Sequence, residues 1–214
     1  MHRKFVINGE LKKNSSKIRM TMKIVLLFLI LISITVEVAA AESTQISVGA
    51  GSSQGAIRNE TTKEEYLELE GGIIQFELQQ TFSDNIILAG RYTQFEIERA
   101  DQNDTRTLTL TTRLNFQGIG LSGGYEFSFG SFLFQPKITL YSGTAKVEFV
   151  LNSIAIQKSG PGGGGSVDLP LLYHKGKLVF GATYQSMYVG SQFEESNVVL
   201  VADSAFLLTL GARF

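Results

Sequence analysis

The chain has 214 residues, enough for one domain or for one domain behind a removable leader. Apolar residues make up 43% and charged residues 18%, which reads as neither a disordered polymer nor a bundle of membrane-spanning helices. Cysteine is absent, so disulfide frameworks and thiolate metal or redox chemistry are excluded.

The first element is a leader. Residues 24–36 read IVLLFLILISITV, thirteen uncharged residues preceded by Lys23 and followed, after Glu37, by Ala39-Ala40-Ala41. A positive flank, a short apolar core and a small-residue exit make a secretory signal peptide. A spanning helix needs about 20 apolar residues. The expected division is residues 1–41 as signal peptide and 42–214 as the mature domain, with Glu42 first. Residues 1–19 form an unusually long basic start, and Met20 or Met22 are alternative initiation points, so 1–19 is read as an upstream extension. Residues 1–41 hold seven of the nineteen Lys/Arg and two of the twenty Asp/Glu, which leaves the mature part with twelve against eighteen, a net of −6. That balance argues against nucleic acid as a partner.

Beyond Ala41 the recurring signal is period-two alternation, the mark of strands. Phe206, Leu208, Leu210, Ala212 and Phe214 share one face of the C-terminal segment. Ile119, Leu121, Gly123, Tyr125, Phe127 and Phe129 do the same over 119–129. Eight strands are expected, over 44–54, 66–82, 86–98, 106–129, 132–149, 166–173, 177–190 and 199–214. Short connections (Ser83-Asp84-Asn85, Gly130-Ser131, His174-Lys175-Gly176) alternate with longer ones (55–65, 99–105, 150–165, 191–198). That alternation fits an all-β, eight-stranded antiparallel up-and-down transmembrane barrel. The Gly162–Gly165 run after Pro161 reads as a mobile loop. Residues 106–129 exceed the roughly 9–11 residues a strand needs to cross a bilayer. Their apolar parity also switches, from Leu108, Leu110, Leu114 and Phe116 to Ile119 onward. A bulge near Gln117-Gly118, with the first half beyond the membrane, is one reading. Two separate strands, 106–116 and 119–129, is the other, which the even strand number of bacterial barrels disfavours.

The polar faces decide which side points outward. They carry Gly120, Ser122, Gly124, Ser128, Thr209 and Gly211, small residues suited to a narrow interior rather than a wet surface. The apolar faces carry Tyr125, Phe127, Phe129, Phe132, Phe134, Tyr173, Tyr184, Tyr188 and Phe214 near strand ends, where interfacial girdles sit. The same parity turns Glu77, Arg91, Glu126, Lys137 and Asp168 inward, with Arg213 near the end. Their signs alternate, so neighbours can pair. The expectation is an ion-pair and hydrogen-bond plug; the sharper alternative is a gate or proton path.

These features resemble the small OmpA/OmpX-type outer-membrane β-barrels over residues 43–214. The resemblance implies a bacterial outer-membrane location and contact with outer-membrane lipid and lipopolysaccharide. It also implies that Phe206, Leu208, Leu210, Ala212 and Phe214 are read by the outer-membrane assembly machinery. With the barrel pattern running to Phe214, a periplasmic domain like that of the OmpA family is not expected. Long middle strands resemble the protruding sheet of OmpX-like proteins, which implies adhesion or partner binding by strand addition.

Chemistry is sparse. His2 lies in the leader and His174 in a turn, with no His-x-Ser pattern, so no catalytic residue is expected. The glycine-rich stretches 118–124 and 160–165 lack a phosphate-loop ending, and no cofactor is expected. Acidic clusters (Glu60/Glu64/Glu65/Glu68/Glu70, Glu96/Glu98/Asp101/Asp104, Glu194/Glu195) read as a solvated rim and not as a metal site. Asn59-Glu60-Thr61 and Asn103-Asp104-Thr105 match a glycosylation pattern only incidentally. The expected function is a non-enzymatic surface or structural barrel with an extracellular ligand left unidentified. A narrow channel and a lipid-modifying enzyme are the alternatives.

Overall fold

The structure is a computed structural model that describes residues 41–59, 65–102, 109–151, 154–191 and 198–214. The leader assigned to 1–41 lies outside these residues but for Ala41. So do Glu60, Glu64, the 103–105 triplet and Glu194/Glu195.

The described residues form ten strands: β1 (Ala41–Asn59), β2 (Glu65–Phe82), β3 (Ile86–Gln102), β4 (Thr109–Tyr125), β5 (Phe127–Phe129), β6 (Phe132–Phe134), β7 (Lys137–Leu151), β8 (Ile154–Lys175), β9 (Leu178–Ser191) and β10 (Val198–Arg213). Eight of them close a ring in the order β8-β7-β4-β3-β2-β1-β10-β9, with β9 returning to β8. All ladders in the ring are antiparallel. The short β5 and β6 continue β4 and β7 past a break at Glu126 and Gln135-Pro136, and β6 stays paired to β8. β1 joins the last residue directly: Phe214 N–H donates to Thr44 O (2.9 Å) and Thr44 N–H to Phe214 O (3.0 Å).

Turn chemistry fixes one end of the ring. Gly130 and Gly176 open two-residue turns with φ of 63° and 60°, where a side chain would be strained, and Asn85 holds φ of 60° in the third tight connection. These turns, the start of β1 and Phe214 all lie at what is called here the turn end.

Register gives the barrel its shape. A row of paired residues runs from Phe129 through Phe132, Tyr173, Phe180, Leu210, Val48, Phe76 and Tyr92, and returns to β4 at Ile119. The circuit slips from position 129 to 119, a shear of ten over eight strands. At about 4.8 Å between strands and about 3.3 Å per residue, that shear tilts the strands by about 40°.

Two expectations need correction. No bulge interrupts Gln117-Gly118: β4 keeps an unshifted register with both β3 and β7, and the break falls at Glu126 instead. The switch in apolar parity has another cause. Leu114, Phe116, Gly118, Gly120 and Ser122 all point inward, and Ile119, Leu121 and Tyr125 all point outward. The parity is constant, and what changes along the strand is the chemistry of the interior. Nor is Gly162–Gly165 a loop. It lies inside β8, paired to β7 at Gly143–Leu140 and to β9 at Ser191–Tyr188. Glycine is needed there for space: a Cβ on Gly162 would lie 3.1 Å from the Phe116 ring, and one on Gly118 only 2.5 Å from it. Pro161 pairs with Thr144 of β7, one residue beyond the last described β8–β9 pair.

Candidate functional site

The outer surface has two zones. On β4 and its continuation β5, Phe129, Phe127, Tyr125, Leu121 and Ile119 face outward and are exposed. From Phe129 to Ile119 a strand tilted by about 40° rises about 25 Å. Ile138, Leu140, Leu169, Leu171, Phe180, Leu208 and Leu210 extend this band around the ring. Aromatic contacts reinforce its turn end, including Tyr125–Phe127 at 4.9 Å, Phe132–Tyr173 at 5.3 Å and Tyr173–Phe180 at 5.2 Å. Beyond Ile119 the outward positions of β4 become Gln117, Asn115 and Arg113. Arg113 bonds Glu98 (2.9 Å) and Glu96 (3.1 Å) on β3, and it lies 3.6 Å from Glu148 on β7. The hydrogen bond to Glu98 comes first among the causes that raise the already high pKa of Arg113.

The interior is the reverse. Opposite the apolar band it is polar. Arg91 donates from Nε and Nη2 to Glu77 Oε2 (2.9 and 2.5 Å), and from Nη1 to Asp168 Oδ2 (2.6 Å) and Tyr141 Oη (3.0 Å). Lys137 Nζ donates to Glu77 Oε1 and to Gln79 Oε1 (3.0 Å). Asp168 also accepts from Thr139 (2.9 Å), Ser166 (2.8 Å) and Gln185 (2.7 Å). Gln185 in turn accepts from Gln75 at 2.8 Å. Two carboxylates therefore face two cations, with no net charge. A second cluster lies nearer the turn end: Arg213 forks onto Glu126 (2.8 and 2.9 Å), which also accepts from Gln135 (2.8 Å). Buried Leu133, Leu172 and Val179 pack together in this lower part of the lumen.

Opposite the polar outer zone the interior turns apolar. Leu69, Phe95, Ile97, Leu114, Phe116 and Val147 belong to one buried cluster. Phe95 stacks on Phe116 at 5.3 Å, and Phe116 meets Tyr141 edge-on at 6.4 Å. Tyr141 thus joins the apolar layer to the ion pairs below it.

All six inward charges singled out in the sequence have partners, in two clusters rather than one: Glu77, Arg91, Lys137 and Asp168 in the first, Glu126 and Arg213 in the second. Sequence reasoning missed Gln75, Gln79, Thr139, Tyr141 and Ser166, which share the parity of the charges on their own strands and are legible by that rule, and Gln185 on β9, a strand that carries none of the six charges. It also missed the apolar layer. The C-terminal residues Phe206, Leu208, Leu210 and Phe214 are exposed on the outer face. His174 is at the turn end with Nε2 3.2 Å from Gly130 O. Among the described residues no group of three His, Asp or Glu is disposed to hold a metal.

A closed ring leaves no backbone edge where it is shut, and an apolar exterior about 25 Å tall is what hydrocarbon requires of a spanning structure. Ring, band and polar interior together define a transmembrane β-barrel of the bacterial outer-membrane type, with the turn end at the periplasmic face. No helix among the described residues is long and apolar enough to cross a membrane. No protein-family model and no curated protein matches the sequence. Among solved structures the chain is similar to Ail, the attachment invasion locus protein of Yersinia pestis, crystallised with the heparin analogue sucrose octasulfate. Identity there is 14% over 80% of this chain and 99% of that one, with a TM-score of 0.45. It is similar also to the outer membrane protein OprG of Pseudomonas aeruginosa (13%, 82% and 97%, 0.45) and to Neisserial surface protein A (15%, 80% and 95%, 0.44). At such values their activities do not transfer, and the fold rests on the ladders described above.

Proposed function

We propose that this protein is a non-enzymatic outer-membrane barrel whose lumen is closed, and that it acts through the wall it raises above the membrane. The observation that carries the reading is the reversal of polarity along β2, β3, β4 and β7. Within the membrane the lumen is occupied by neutral ion-pair clusters. Above it the lumen is packed with apolar side chains, which offer a hydrated ion neither charge nor water. Eight strands also leave only enough room for side chains to fill the interior.

The far rim supplies a binding surface. Leu110, Phe149, Leu151, Ile154 and Ile156 share the inward face of β4, β7 and β8 above the buried layer, and all five are exposed, Ile154 at 70% and Ile156 at 62%. Apolar residues held this far above the band are not accounted for by lipid, and such patches mark interaction sites. An extracellular partner that covers part of its own apolar surface is the ligand class they fit.

Planar-bilayer recording of the refolded mature chain tests the closed lumen: baseline current is expected, and steady single-channel steps would instead establish the channel reading. Ile154→Asp with Ile156→Asp should reduce binding of the protein to host-cell surfaces or matrix components while the heat-modifiable gel shift of the folded barrel persists. Unchanged binding would remove the rim from the argument. Lipid A that differs in mass with and without the protein would establish an enzyme.

A further inference from the structure

The tip of the β7–β8 hairpin differs from the wall beside it, because it is apolar on both faces. Its last described rows pair Leu151 with Ile154, Val150 with Ala155 and Phe149 with Ile156. Phe149, Leu151, Ile154 and Ile156 face inward and are exposed; on the outer face Ala155 is exposed and Val150 half-buried. On β2, β3 and β4 the apolar inner face is instead backed by Glu70, Glu98 and Arg113. Leu151 lies eleven residues beyond Leu140, the last exposed leucine of the band on β7, so at the same tilt the tip stands about 28 Å above it. The hydrocarbon of the protein's own membrane does not reach that height.

A partner that packs against a sheet covers one of its faces, whereas a fluid apolar medium covers both. The depth agrees with such a medium. Three apolar rows at about 2.5 Å of rise each span about 5–8 Å, and interfacial elements bury their apolar part about 5–10 Å into the boundary between headgroups and acyl chains. Below these rows come Glu148 and Gln157, then Lys158 on the inner face, opposite Val147, and Lys146 on the outer face, opposite Ser159. Glu148 lies 3.6 Å from Arg113, while no carboxylate among the described residues pairs with Lys146 or Lys158. Two ammonium groups on flexible stems are thus left at headgroup depth, where they can meet lipid phosphates. The edge of β8 keeps the insertion shallow: Ile154–Gly160 lie beyond the last described pair with β9, and backbone groups without a strand partner need water or headgroups around them.

We propose that this hairpin tip is an interfacial anchor for the anionic leaflet of an apposed lipid bilayer, with Phe149, Leu151, Ile154, Ala155 and Ile156 at the headgroup–acyl boundary and Lys146 and Lys158 on its phosphates. The proposal rests on the rim being the binding surface and assigns that surface its partner, a lipid surface rather than a protein.

The test places the full mature chain in phosphatidylcholine nanodiscs with a tryptophan-free scaffold and adds vesicles of phosphatidylcholine and brominated phosphatidylglycerol. The chain has no tryptophan of its own, so Ile156→Trp reports from the inner face and Ala155→Trp from the outer. Bromine quenching of both is expected. Lys158→Glu should weaken binding to these vesicles about 30-fold, the factor for a change of two elementary charges at an anionic surface, while the gel shift of the folded barrel is retained. Quenching at only one of the two positions assigns the tip to a partner that packs on one face and overturns the proposal. Absence of quenching at both overturns it as well. If Ile154→Asp with Ile156→Asp then still lowers cell-surface binding, the rim remains a binding surface for protein; if it does not, both readings fall.

Discussion

Leu171→Arg is the sharpest test of orientation. Leu171 lies on the outer face of β8, 55% exposed, between Phe134 on β6 and Ala182 on β9. Its position in the register puts it near mid-height in the apolar band. An arginine on the lipid face at the midplane of a barrel costs about 2–4 kcal/mol, which weakens the folding equilibrium by about 30- to 900-fold. On a water-facing sheet the same exposed substitution falls within about 0.5 kcal/mol. Thr144→Arg is the control: Thr144 also faces outward and is exposed, but it lies above the band on β7, level with Gln117 on β4. Urea titration of the barrel refolded into phospholipid vesicles, read by far-ultraviolet circular dichroism, compares the two; fluorescence is less useful because the chain has no tryptophan. Leu171→Arg should unfold at distinctly lower urea and Thr144→Arg at nearly the parental midpoint. Equal midpoints would mean that the exposed leucines do not meet lipid, and the barrel would have to be read as water-soluble.

The other predictions probe the interior and the leader. Phe116→Ala removes a fully buried ring stacked on Phe95 and should cost about 3–5 kcal/mol in the same titration; a loss below about 1 kcal/mol would mean that the apolar layer is not packed. Arg91→Ala leaves Glu77 and Asp168 buried without their shared guanidinium and should destabilise by about 3–5 kcal/mol. It should also leave bilayer conductance at baseline, because the Phe95–Phe116 layer still closes the lumen; a rise in current would make Arg91 a gate. The exported protein should begin at Glu42 by N-terminal sequencing, and a longer N-terminus would redraw the leader.

Much of this architecture was legible in the alternation of residues. Strand order, closure and the inward direction of Glu77, Arg91, Lys137 and Asp168 follow from parity once the short turns are placed. The errors arose where one physical rule was extended too far. Parity was read as apolar-outward along the whole of 106–129, so even-numbered Leu114 and Phe116 had to be moved by a bulge. They point inward because the wall continues into water, where apolar side chains belong inside. Gly162–Gly165 reads as a loop by composition alone, yet Gly162 borders the ring of Phe116, a residue more than forty positions earlier, and a Cβ on Gly164 would meet the backbone of Tyr188. That contact is long-range and leaves no local signal. Nor does sequence spacing reveal that the six charges divide into two clusters. The division depends on shear, which sets Arg213 beside Glu126 rather than beside Arg91.

The reversal along β4 has a consequence for how such a chain can be made at all. Were both faces apolar from Thr109 to Tyr125, the strand would be a run of 17 apolar residues, near the roughly 20 that read as a spanning helix. A polar lumen within the band and a polar exterior above it each break that run at every second residue. The strand signal stays weak in any window, and TM-helix length is approached only over 24–36, the stretch read from sequence as a leader. The buried charges cost desolvation, which their pairing offsets without having to yield net stability. Paired charges thus fill the inner face of β2, β3, β7 and β8 while keeping those strands alternating. Replacing the first cluster with leucines should raise the stability of the folded barrel and still impair export, two effects separated by comparing refolding in vitro with yield in the membrane.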